Sequence, residues 1–152
     1  MLSLRDTAAR QDIVQRINRL GPNTVRVWGR MTAPEMICHL NDSFLVSLGD
    51  RTASSRANMF SRTAMKFFAL NVPMQWPKNL PTMPEVKQGL GGTCPSDFQT
   101  DRINLLSTLD RFCVPDPTVG RFPHPLFGMM SVEDWMRWGY LHSDHHLRQF
   151  GI

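Results

Sequence analysis

Residues 32–49 read Thr32-Ala33-Pro34-Glu35-Met36-Ile37-Cys38-His39-Leu40-Asn41-Asp42-Ser43-Phe44-Leu45-Val46-Ser47-Leu48-Gly49. Thr32 followed three residues later by Glu35 is a capping box, in which hydroxyl and carboxylate each satisfy an amide at the start of a helix. Pro34 is tolerated in the first turn, where its missing N–H has no partner to lose. Met36, Leu40, Ser43, Phe44 and Ser47 then recur at the three- and four-residue spacing of one helical side. Gly49 stops the run, because glycine accepts the left-handed conformation that closes a helix.

The same logic extends outward. Upstream, Thr7–Leu20 places Ile13, Val14, Ile17 and Leu20 on one face, and Gly21-Pro22 ends it. Downstream, a helix over Ser54–Asn71 carries an apolar stripe of Met59, Phe60, Thr63, Ala64, Phe67 and Phe68, and closes before Pro73. Residues 73–95 hold five prolines and three glycines and cannot form a regular helix. A loop of this length in a compact domain is functional or joins distant elements, and we read it as a crossover. Ser96-Asp97-Phe98-Gln99 resembles another capping box and opens a helix with Phe98, Leu105, Leu106, Leu109 and Phe112 inward. A second proline-broken segment, Val114–Met130, precedes Ser131-Val132-Glu133-Asp134, the start of a last helix over Val132–Phe150 with Gly151 as its cap. There is no internal repeat and no two-residue alternation long enough for a sheet. The pattern predicts an all-α chain, most simply a four-helix bundle with an accessory helix and one or two long crossovers.

Composition excludes several classes. At 152 residues, 41% hydrophobic and 20% charged, the chain suits one domain with a core of its own rather than a disordered or fibrous polymer. No run approaches the roughly 18 apolar residues of a spanning helix, and MLSLRDTAAR has charges where a signal peptide would be apolar. The expectation is a cytoplasmic protein with no membrane partner. The net charge is +4, but the basic residues (Arg10, Arg16, Arg19, Arg26, Arg30, Arg51, Arg56, Arg62, Lys66) are spaced singly. That pattern describes solvated helix faces, so no nucleic-acid partner is expected. Cys38, Cys94 and Cys113 are odd in number and lack CxxC spacing, so neither a disulfide framework nor a zinc knuckle is indicated.

The chemistry concentrates in His142-Ser143-Asp144-His145-His146-Leu147-Arg148-Gln149. His142 and His146, four apart, stand one turn above the other on one helical face, a spacing that lets two imidazoles reach one metal ion. Catalytic metals usually take three protein ligands, and His39, bordering the inward arc of the second helix, is the natural third candidate. The competing reading is structural: histidines are favoured near helix C-termini, and a lone interior histidine is often a satisfied core residue. His145, three residues from His142, swings away from the pair and reads as a packing residue or as a hydrogen-bond partner to a ligand. His124 reads equally as a turn residue or a pocket rim. Gln149 could hydrogen-bond an imidazole and fix its tautomer. Trp135 and Trp138 read as core before pocket wall. Asp42, Asp144 and Glu35 are the only evident general-base candidates, each better explained as a cap or surface charge. The ten methionines suit an irregular core.

The string HSDHHLRQFG, following HPLFGMMSVEDW, resembles the C-terminal signature of the DinB-like superfamily, and most closely a domain-of-unknown-function branch ending in HxxHHLRQFG. Trp28-Gly29-Arg30-Met31-Thr32-Ala33-Pro34-Glu35-Met36-Ile37-Cys38-His39-Leu40 is similar to the helix that supplies that family's first histidine. The resemblance runs from about residue 13 to the C-terminus and implies one helical-bundle domain over 1–152, of the up-up-down-down type with a long crossover. It further implies a homodimer and a divalent metal, Zn, Ni or Fe, held by His39, His142 and His146. The activity it implies is that of a metal-dependent transferase or hydrolase using a low-molecular-weight thiol on a small molecule. The alternative is a non-catalytic, stress-associated scaffold or binding protein.

Overall fold

The computed structural model describes residues 1–114 and 119–152. Among them the chain is all-helical, with no strand and one isolated antiparallel bridge between His124 and Gly128. Four long helices are α1 (Thr7–Arg19), α2 (Ala33–Leu48), α4 (Phe98–Cys113) and α5 (Val132–Arg148), while α3 (Lys66–Asn71) is short and follows directly on a π-helical turn, Ser61–Met65. α2 packs most extensively on α4 and also meets α5, α1 lies along α5, and α3 rests on α5. This arrangement is compatible with a four-helix bundle. No helix among the described residues is long and apolar enough to cross a membrane.

The helix ends follow the local chemistry. Thr32 and Glu35 form the expected reciprocal box, with Thr32 N–H donating to Glu35 Oε2 at 2.7 Å. Gly49 caps α2 at φ 82°, and a Cβ there would stand 2.2 Å from the Phe122 ring. Both the left-handed backbone and the close ring therefore require glycine. Ser131 and Asp134 make a second reciprocal box at the start of α5. The start of α4 differs from expectation: Asp97 is the cap, accepting from Thr100 N–H at 2.9 Å, and Ser96 bonds instead to Asp101. The third helical residue here is Thr100, whose hydroxyl donates to the Asp97 carboxylate at 2.8 Å, so no side chain reaches back to close a reciprocal box.

One core joins the long helices. Ile13 and Ile17 of α1, Met36, Leu40 and Phe44 of α2, Leu105, Leu109 and Phe112 of α4, and Trp135 and Leu147 of α5 are buried together. Leu106 is only half-buried at its edge. Phe44 and Phe112 meet at 4.9 Å between ring centroids. At Gly139 the elements approach so closely that a Cβ would lie 2.7 Å from Leu4 Cδ1 and 3.0 Å from Phe112 Cε1.

Two expectations are corrected. Helical structure in the third segment starts at residue 59, not at Ser54, and its apolar stripe does not face the core. Met59, Phe60, Phe67 and Phe68 are exposed, and of this element only Ser61 and Leu70 are buried. Periodicity identified residues sharing a face but not what covers that face. The wide π-helical turn also shifts the register of residues on either side of it. Asp42 is no surface charge: it is fully buried and accepts hydrogen bonds from Thr93 N–H at 2.8 Å, Thr93 hydroxyl at 2.7 Å and Arg51 at 2.9 Å. Arg51 also donates to the Glu85 carbonyl at 3.2 Å and to the Gly91 carbonyl. The proline-rich crossover is thus fastened onto α2. Of the segment Val114–Met130, residues 115–118 lie outside the described residues.

Candidate metal centre

α2 carries His39 on its buried side, and α5 carries His142 and His146 one turn apart. Where these helices meet, the three imidazoles form a group whose ligand nitrogens all lie within 4.8 Å of one another. His39 Nε2 stands 3.3 Å from His142 Nε2, and His146 Nε2 stands 3.1 Å from the same atom.

The far nitrogens decide what these near nitrogens are. His39 Nδ1 donates to the Val86 carbonyl at 2.9 Å. His146 Nδ1 donates to Gln149 Oε1 at 3.2 Å, the role expected of Gln149. With the proton on Nδ1, each ring turns an Nε2 lone pair inward. Two lone pairs therefore converge on His142 Nε2, and a single proton there can serve only one of them. Three nitrogens held tetrahedrally about 2.0–2.1 Å from one ion would be separated by about 3.3 Å, close to the two spacings observed. The donor set thus fits a divalent cation in both tautomer and spacing. His142 is oriented differently. Its Nδ1 is buried without a partner among the described residues, and its ring stacks on Trp138 at 4.7 Å and 27°.

Burial holds all three imidazoles below the usual histidine range, and the neighbouring imidazoles push His142 and His146 further down. Neutral imidazole is the ligating form, so these side chains need shed no proton at neutral pH.

A cavity of about 1000 Å³ adjoins the trio. Trp135 and Trp138, buried in the core, also wall it, as do Phe60, Phe68 of α3, and Trp76, Leu80 and Met83 of the crossover. The crossover is therefore more than a connection, since it supplies one wall of the cavity and, through Val86, the partner of His39. Its unusual length was the sequence signal; nothing local pointed to Val86 or Trp76.

The remaining candidates fall into place. His145 is buried but outside the trio, packed edge-on against Trp28 at 5.1 Å, and burial lowers it to about 4. His124 is both turn residue and cavity wall: its Nδ1 accepts the Leu126 and Phe127 N–H groups, each at 3.1 Å, its ring stacks on Phe127 at 4.6 Å, and it lines the cavity. Burial lowers it to about 3. Asp144 pairs with Arg16 at 2.9 Å and Arg148 at 2.8 Å, and Glu35 is spent on the α2 capping box. With Asp42 tied to Arg51 and Thr93, no carboxylate of the three is free to act as a base. All three cysteines are free, and burial pushes the Cys38 thiol up to about 12.

The family described as a protein of unknown function, DUF1569, matches residues 3–151. The chain belongs to that family. No curated protein matches the chain, and no solved structure matches it.

Proposed function

We propose that this DUF1569 chain is a metal-dependent enzyme of the DinB-like type, a single four-helix-bundle domain with up-up-down-down connections. In this reading His39, His142 and His146 hold one divalent ion, Zn, Ni or Fe. The observation that carries it is the convergence of three Nε2 atoms, two of them fixed as acceptors by Val86 and Gln149. A divalent ion so held supplies Lewis acidity, lowering the pKa of a thiol or water and holding it as a nucleophile. The chain's own residues do the rest. Val86 and Gln149 keep the rings in the ligating tautomer, Trp138 fixes the plane of His142, and the aromatic walls give the adjoining cavity an apolar lining. With Asp42, Asp144 and Glu35 all committed, the reaction class this reading takes is transfer of a small group from its donor to a low-molecular-weight thiol, which would give up its proton to solvent as the group's bond to its donor breaks. The exposed Phe67 and Phe68 are consistent with a homodimer, which light scattering on the purified protein measures.

Elemental analysis of protein purified without a polyhistidine tag tests the reading. One equivalent of a divalent metal, lost on substitution of any of the three histidines, supports it. Metal-free protein whose stability is indifferent to chelator would instead favour a non-catalytic scaffold.

A further inference from the structure

His124 sits at the cavity in an unusual state. Its Nδ1 accepts two backbone N–H groups, from Leu126 and Phe127, within the turn it closes. The turn is itself held by reciprocal 2.8 Å hydrogen bonds between His124 and Gly128, and by Arg56 N–H donating to the Pro125 carbonyl at 2.7 Å. An imidazole nitrogen that accepts two donors cannot carry a proton, so the ring's single hydrogen is on Nε2. The ring is wedged between Phe127, Trp135 and Trp138, which fixes its plane. Nε2 has no hydrogen-bond partner among the described residues, and His124 is one of the residues that line the cavity. With Nδ1 turned into the loop, the Nε2 edge is the one left to face the cavity. The surrounding wall is mainly apolar, with Phe60, Phe68, Leu126 and Phe127 nearby.

We propose that this cavity binds a neutral, largely apolar small molecule bearing a carbonyl-type acceptor, which takes a hydrogen bond from His124 Nε2–H. Apolar walls reward burial of a hydrocarbon or aryl body, and one rigid donor then orients it. A neutral imidazole with a locked tautomer acts here as a donor and not as a base. The inference rests on the turn and the cavity and does not depend on a metal.

Benzophenone and 1,1-diphenylethylene are close in shape and differ in C=O against C=CH2, which makes them suitable probes. Binding is measured by saturation-transfer NMR titration, on the protein as purified and again after chelation. Wild type should bind the ketone about three- to tenfold more tightly, the worth of one net hydrogen bond, in both states. In His124→Asn the amide Oδ1 takes the place of Nδ1 and preserves the turn, while nothing reaches the Nε2 position, so the preference should vanish and the hydrocarbon should bind as before. A preference that disappears on chelation assigns the carbonyl to a metal and overturns this proposal while supporting that of a metal centre. Equal binding of the two probes by wild type, binding of neither, or a preference retained in His124→Asn also overturns it. Imidazole ¹⁵N NMR of wild type gives a check without any variant: an Nδ1–H tautomer or an imidazolium at pH 7 would refute the assignment.

Discussion

His145 and His146 are adjacent, yet only His146 joins the trio, because residues four apart are offset by about 40° around a helix and about 6 Å along it. His146→Ala should therefore lose the metal, whereas His145→Ala should keep it and lose mainly the packing on Trp28; metal content of the two purified variants checks this. Gln149→Leu should keep the ligands but free the His146 ring, weakening metal affinity about 10- to 100-fold, read by competition with a chromogenic chelator. His124 governs a pH effect. Burial lowers its pKa to about 3 in the folded protein against 6.5 for a free imidazole, so the unfolded chain takes up the proton first. The contribution of His124 is fully present above pH 6.5 and falls by about 1.4 kcal/mol per pH unit as pH drops from there towards 3, in addition to that of the other buried imidazoles. His124→Asn removes that proton site, and its denaturation midpoint should fall less steeply with acid than that of wild type.

At the scale of elements, the contrast between α3 and α4 is testable. Phe67 and Phe68 are exposed and Phe112 is fully buried. Phe68→Ser should change stability by no more than about 0.5 kcal/mol, whereas Phe112→Ala should cost about 3–5 kcal/mol, both from urea titration. The crossover is held at a few points. Asp42→Ala would leave Arg51 without its buried partner and free Thr93, at a cost of about 3 kcal/mol or more. Because the same crossover supplies the Val86 carbonyl to His39, that variant should also bind metal more weakly, which calorimetric titration would show.

For the whole molecule, the proposed centre links α2 to α5, so an ion bound there stabilises the folded state alone. At a free-metal concentration about 100-fold above the dissociation constant, the gain is about 2.7 kcal/mol. For a chain of this size that corresponds to a rise of about 5–10 °C in Tm. Chelation should reverse the rise, and the His39→Ala protein should show neither effect.

The sequence by itself determined what is local. Thr32, Glu35 and Gly49 bound α2, Ser131 and Gly151 bracket α5, and the four-residue spacing of His142 and His146 puts both rings on one face. Each of these rests on the geometry of a single helix. The partnership of His39 with that pair was legible only as a candidate and through resemblance, because it requires two helices to cross at one height. Tertiary structure alone decided the rest. The stripe of α3 is as periodic as that of α2, but burial depends on what packs against a face, and among the described residues no element covers Phe67 and Phe68. Which nitrogen of His39 faces inward was set by the Val86 carbonyl, 47 residues away. His124 became a fixed donor because two backbone amides of its own turn meet one ring nitrogen, a matter of backbone direction that residue identity does not encode.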